Sequence, residues 1–123
     1  MESDHVLLVD DDVIINLNLH EFLQDAGFTV EAVYSGTAAY EAIKRHPPWA
    51  LVTDLDLGLG PDGFQVARYA RAACPGLPVV FISGTMSARY DNEGVKQSDF
   101  IAKPFRGQQI VEALHRAARP AVV

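Results

Sequence analysis

The sequence has one cysteine and one tryptophan, ten basic side chains against sixteen acidic ones, and no long apolar run. Each shortage excludes something. Cys74 alone cannot close an internal disulfide, which suits a reducing compartment, and its place at the end of a predicted helix reads as packing. A membrane span needs roughly 18 consecutive apolar residues, and no stretch approaches that length. The N-terminus Met-Glu-Ser-Asp-His has no basic region followed by an apolar one, so nothing there resembles a secretory signal. A soluble, cytoplasmic protein without membrane contact is the expectation. The net charge of −6 disfavours direct binding to a nucleic-acid backbone and leaves acidic side chains available for a cation. With 123 residues, the chain is expected to form a single domain, with its core at about 6–118 and no output domain.

What is present is organised around Leu51–Asp54, a short apolar run that ends abruptly in a carboxylate. It follows Pro47 and Pro48 and precedes a glycine-rich segment, so it reads as a buried central strand. Three other apolar runs end in reactive polar residues: Val6–Val9 before Asp10 and Asp11, Val79–Ile82 before Ser83, and Phe100–Ala102 before Lys103. Phe28–Val33 alternates and reads as an edge strand. Helices are predicted between these strands. The first spans about Val13–Ala26, with Ile15, Leu19, Phe22, Leu23 and Ala26 as the inward stripe and Asn16, His20, Gln24 and Asp25 on the opposite face. Gly27 ends it. The second is capped by Ser35 and runs to about Arg45, with Ala39, Ala42 and Ile43 inward. The third covers Gly63–Cys74, with Val66, Ala67, Ala70, Ala73 and Cys74 on one face. The last covers about Gly107–Ala118, with Ile110, Val111, Leu114 and Ala118 inward. Between the fourth and fifth strands, Thr85–Ser98 offers only Met86 and Tyr90 at helical spacing, so a short or irregular fourth helix is predicted there.

Five strands alternating with helices imply right-handed crossovers and an α/β fold with a doubly wound parallel sheet. The flavodoxin-like order 2-1-3-4-5 puts the switch point between strands one and three, which places Asp10 and Asp11 beside Asp54 at the carboxyl edge. Three such carboxylates raise one another's pKa unless a cation compensates. Oxygen-only ligands select a hard divalent ion, Mg²⁺ or Mn²⁺. Lys103 adds a second positive charge and Ser83 a hydroxyl donor. A carboxylate so placed can also attack a phosphoryl group to form an aspartyl phosphate.

The ordered set Val-Leu-Leu-Val-Asp-Asp-Asp, Leu-Val-Thr-Asp, Val-Phe-Ile-Ser-Gly and Ile-Ala-Lys-Pro-Phe resembles the receiver domain of two-component response regulators, stand-alone or attached to hybrid histidine kinases. The resemblance covers Val6 to about Ala118. It implies that Asp54 is the phosphoacceptor and that Asp10, Asp11, Asp54 and the backbone carbonyl of Asp56 hold the metal. It further implies that Ser83 and Lys103 engage the phosphoryl group, that Ser83 and Phe100 form the switch, and that the Lys103–Pro104 bond is cis. The implied partners are a sensor histidine kinase or a histidine phosphotransfer protein, with no enzymatic activity beyond the domain's own phosphorylation and dephosphorylation. Two departures stand out. The loop after Asp54 lacks the family's proline four residues on, and Asp62-Gly63 comes one position late. The weak Thr85–Ser98 segment points to a monomer or weak dimer rather than the family's usual dimer. Asp54-Leu-Asp56 also resembles the Asp-x-Asp motif of haloacid-dehalogenase-type phosphatases, though that motif lies on a first strand and comes with a cap domain. A receiver-like interaction module that is never phosphorylated is the remaining alternative.

Overall fold

The structure, a computed structural model, describes residues 5–84 and 95–118. Three strands lie buried along their whole length, β1 (His5–Val9), β3 (Ala50–Asp54) and β4 (Val79–Ser83). Continuous apolar sequence is what a strand covered on both faces requires. Half-exposed β2 (Thr29–Val33) and β5 (Ser98–Ala102) form the edges, and all pairs are parallel in the order β2-β1-β3-β4-β5. The expected flavodoxin-like topology is therefore the observed one.

The period-two alternation of each central strand divides its side chains between two cores. Leu7, Leu51 and Phe81 face the helices α2 (Gly36–Arg45) and α3 (Gly63–Ala73), which supply Ala39, Ile43 and Phe64. Leu8, Val52 and Ile82 face α1 (Val13–Asp25) and the C-terminal helix α4 (Gly107–Ala118), which supply Leu23, Ile110 and Leu114. Each fully buried side chain of this size contributes about 1.5–3 kcal/mol, so the two layers fix the sheet between them. Tyr40 and Tyr69 stack at 4.3 Å between ring centroids where α2 meets α3.

Local signals explain the boundaries. Asp12 caps α1 by accepting from the amides of Ile14 and Ile15, Ser35 caps α2, and Asp62 with Gln65 forms a reciprocal capping box at α3. Gly27, at φ 101°, carries the chain out of α1 in the left-handed region.

Several expectations are corrected. In α1 the buried row is Asn16, Leu19 and Leu23: of the predicted stripe Leu19 and Leu23 are buried, and Asn16, expected on the opposite face, joins them. Ile15 is only half-buried, while Phe22 and Ala26 are exposed. The Asn16 amide donates to two main-chain carbonyls at the sheet edge, which holds that side chain inward. In α3 Ala73 is exposed, and Cys74 is the half-buried C-cap rather than part of the helix. Phe28 is buried but precedes β2, its amide turning back to the Leu23 carbonyl. Strand β5 begins two residues earlier than expected, because an edge strand tolerates the polar Ser98 and Asp99. Of the segment predicted as a short or irregular helix, residues 85–94 lie outside the described residues, as does the side chain of Ala118. Among the described residues no helix is long and apolar enough to cross a membrane.

Candidate functional site

Parallel register brings the strand ends level. Val9 pairs with Thr53, Asp54 with Ile82 and Ser83 with Ala102, so Asp10, Asp54, Ser83 and Lys103 emerge along one edge of the sheet. The Lys103 amide donates to the Ser83 carbonyl at 2.8 Å, which ties the β5 exit to the end of β4. The Lys103–Pro104 peptide bond is cis.

Carboxylate oxygens of Asp10, Asp11 and Asp54 lie within 4.8 Å of one another. Asp10 is wholly buried, Asp54 and Ser83 nearly or fully so, and Asp11 is exposed, so the cluster opens to solvent on the Asp11 side. Lys103 Nζ stands 3.3 Å from Oδ2 of Asp54 and 3.3 Å from Oδ2 of Asp10. It makes a directed hydrogen bond to Asp54, whereas its contact with Asp10 is an ion pair that leaves Asp10 Oδ2 without a well-aligned donor. Main-chain donors hold the other oxygens: Asp12 N to Asp10 Oδ1 at 2.9 Å, and Asp56 N to Asp54 Oδ1 at 3.4 Å.

The electrostatics follow from this packing. Burial, and then the charge of Asp10, push the Asp54 carboxyl up to about 6 against the opposing pull of Lys103. Burial likewise raises Asp10, opposed by the Asp12 amide and Lys103. Burial works against the Lys103 ammonium too, but Asp54 and Asp10 together outweigh it and hold its pKa above the usual value. Three carboxylates against one ammonium leave an excess of negative charge in a largely buried site. A donor set made only of oxygens, with one buried oxygen lacking a directed donor, fits a hard divalent cation.

Of the residues singled out from the sequence, Asp10, Asp11, Asp54 and Lys103 come together. Ser83 ends the neighbouring strand, and Asp56 is exposed two residues beyond Asp54. Phe100 is not part of the cluster. It lies inside β5, in register with Phe81, half-buried against the core beneath α2 and α3. Two contributors escaped the sequence reading. Gly63 lets α3 begin against the Asp54 backbone, since a Cβ there would overlap the Asp54 carbonyl oxygen. Asn16 is fully buried beside Asp10, and its signal was its spacing of three and seven residues from Leu19 and Leu23.

The response regulator receiver domain model matches residues 6–115. The chain belongs to this family, the phosphoacceptor switches of two-component signalling. It is 28% identical over 113 residues to the response regulator receiver protein CpdR of Brucella abortus, a match spanning 90% of this chain and 93% of that protein. The crystal structure of a response regulator receiver protein from Sinorhizobium medicae superposes with a TM-score of 0.90 at 39% identity, covering 93% of both chains. The receiver domain of a Pseudomonas aeruginosa sensor histidine kinase, solved with a magnesium ion in its active-site cleft, shares the fold at TM-score 0.81 and 24% identity, covering 94% of this chain and 97% of that one. Other curated relatives are longer, and the chain spans 25% of one regulatory protein and 52% of another.

Proposed function

We propose that Asp54 is the phosphoacceptor and takes its phosphoryl group from a phosphohistidine on a sensor histidine kinase or a histidine phosphotransfer protein. The observation that carries this reading is the position of Lys103 Nζ, 3.3 Å from both Asp54 and Asp10 on an edge that also presents Asp11. In the transfer an Asp54 carboxylate oxygen attacks phosphorus. The bond from phosphorus to the donor's imidazole nitrogen breaks, and its electron pair stays on that nitrogen. Hydrolysis reverses the modification: water attacks phosphorus, inorganic phosphate leaves, and the carboxylate is regenerated.

Asp10, Asp11 and Asp54, with the backbone carbonyl of Asp56, are the residues that would hold Mg²⁺ or Mn²⁺. Bound there, the ion supplies charge neutralisation for the phosphoryl oxygens. Lys103 neutralises the developing charge from the other side. The added dianion draws the Ser83 hydroxyl and Lys103 toward it, biasing the end of β4 and Phe100 in β5 toward a second arrangement that a partner reads. Beside Lys103 lies a cavity of about 470 Å³, lined mostly by the apolar Ile15, Leu19, Phe22, Pro104 and Phe105, with Asn18. Apolar surface next to the acceptor suits a phosphodonor that must exclude water while it transfers.

Intact-mass spectrometry after incubation with acetyl phosphate tests the assignment. A gain of one phosphoryl group that requires Mg²⁺ and is absent from Asp54→Asn is expected. No adduct in any condition, together with no beryllofluoride binding, would favour an interaction module that works without phosphorylation.

A further inference from the structure

Asn16 is a wholly buried side chain of α1 whose burial its chemistry does not explain. It is wholly inaccessible, in a helical row otherwise made of Leu19 and Leu23. Its Nδ2 donates to the Asp10 carbonyl at 2.9 Å and to the Val33 carbonyl at 3.0 Å. Both partners are pure acceptors, so the orientation of the amide is fixed: turned over, Oδ1 would face two carbonyl oxygens. In the observed orientation Oδ1 is buried without a hydrogen-bond partner among the described residues. A leucine in this row would bury apolar surface and strand no oxygen, so an orphaned acceptor calls for an explanation other than packing.

The explanation lies in what the two bonds hold. The Asp10 carbonyl belongs to the peptide unit that joins Asp10 to Asp11, whose side chains supply two of the three clustered carboxylates. The preceding peptide is pinned as well, since the Asp10 amide donates to the same Val33 carbonyl at 3.3 Å. With the peptide planes on both sides of the Asp10 Cα fixed to the end of β2, the direction in which the Asp10 side chain leaves the backbone is set. The Asp12 amide then orients one of its carboxylate oxygens and Lys103 faces the other. Asp11 starts from the plane that Asn16 holds. We infer that Asn16 is a positioning residue for the acidic pair: its amide locks the Asp10–Asp11 peptide so that both carboxylates converge on a divalent cation before the cation arrives. This deepens the function proposed above and rests on it.

Groups that orient metal ligands from behind typically change metal affinity about 10–100-fold when removed. The test compares wild type, Asn16→Leu, Asn16→Ser and a destabilised control, Ile43→Ala, in which the altered side chain is buried under α2 on the opposite face of the sheet. Each is titrated with Mg²⁺ by calorimetry, its stability is measured in urea, and the Asp10 carbonyl ¹³C resonance is recorded in metal-free protein. Asn16→Leu is expected to weaken Mg²⁺ binding about tenfold or more and to shift the Asp10 resonance. Asn16→Ser, which keeps a shorter donor, should fall between it and wild type, and it serves in its place if the leucine variant does not fold. Ile43→Ala should keep wild-type affinity although it is less stable. Wild-type affinity in both Asn16 variants overturns the inference alone, as does an equal loss in Ile43→Ala. A wild-type protein that itself binds no Mg²⁺ overturns this inference and the metal site together.

Discussion

Lys103 Nζ donates a hydrogen bond to Asp54 Oδ2 at 3.3 Å across 49 residues of sequence, joining the exit of an edge strand to the tip of a central one. The contact is a product of sheet register. It exists because β4 lies between β3 and β5, with the Lys103 amide tied to the Ser83 carbonyl. The ammonium faces two carboxylates whose pKa values burial raises. Lys103→Met should therefore raise the Asp54 pKa beyond about 6 in metal-free protein, read from the carboxyl ¹³C titration. It should also slow phosphorylation by acetyl phosphate by about 10²-fold, the scale seen when one electrostatic donor is removed from a developing oxyanion. An unchanged Asp54 titration would show that the lysine does not set the charge of the site.

The raised Asp54 pKa also makes a statement about stability. The folded state holds this proton more tightly than the unfolded chain, so the carboxylate form opposes folding above its ordinary value of 3.8, and the full cost is reached above the folded value of about 6. Without metal, Asp54→Asn should be more stable than wild type at pH 7.5, by on the order of 3 kcal/mol at most. The advantage should shrink as pH falls through 6 and vanish near pH 4. Mg²⁺ should offset most of this advantage, because binding to the folded state alone stabilises by about 2.7 kcal/mol at a hundredfold excess over Kd. Urea denaturation in chelator and in Mg²⁺ at several pH values measures both effects. A stability difference that does not vary with pH would mean that Asp54 is not the perturbed group.

The fold and the acidic edge were legible because both are written in short-range signals. Val6–Val9, Leu51–Thr53 and Val79–Ile82 are unbroken apolar runs that end in polar residues, and one choice of strand order puts those residues side by side. The facing of α1 was legible only in part. Leu19 and Leu23 of the predicted stripe are buried, but Phe22 of the same stripe is exposed, as are Val13, Ile14 and Leu17 on another face of the helix. The residue that the pattern placed outward, Asn16, has partners just past β1 and on β2, and hydropathy does not register an amide bound to carbonyls 6 and 17 residues away. The same blindness hid the glycines, whose role is to have no Cβ at a contact set by tertiary structure.

Those glycines brace the loop after Asp54. A Cβ at Gly36, the first residue of α2, would overlap the Pro61 carbonyl oxygen, and one at Gly63 would overlap the Asp54 carbonyl and lie 2.8 Å from the Leu55 Cα. The neighbour is main chain in each case, so the loop or the helix must shift. Gly36→Ala and Gly63→Ala should each cost about 1–3 kcal/mol by overpacking. Gly63→Ala should also slow phosphorylation, since the atom it displaces belongs to Asp54. Gly76→Ala is the comparison: its φ of 83° costs strain, but nothing lies within 4 Å of a Cβ there, so phosphorylation should stay at the wild-type rate. Equal phosphorylation rates in Gly63→Ala and Gly76→Ala would separate the α3 approach from the geometry of the acceptor.

Arg71 makes a second long-range tie, on the far side of the molecule from Asn16. From α3 its Nε donates to the Leu77 carbonyl at 2.6 Å, while Nη1 and Nη2 reach the carbonyls of Lys96 and Gln97 at 2.7 and 3.1 Å. Gln97 has a φ of 57°, a left-handed conformation that non-glycine residues adopt at a cost and that needs outside support. The guanidinium fork supplies it, holding the turn from which β5 departs toward Phe100 and Lys103. Arg71→Met removes all three donors and should cost about 1–3 kcal/mol. Arg71→Lys, a point charge without the planar fork, should recover only part of that loss. Amide hydrogen exchange locates the effect: protection should fall first at Ser98–Ile101, while β1 and β3 keep theirs. A loss spread evenly over the sheet would make Arg71 a general stabiliser and remove its assignment to the β5 approach.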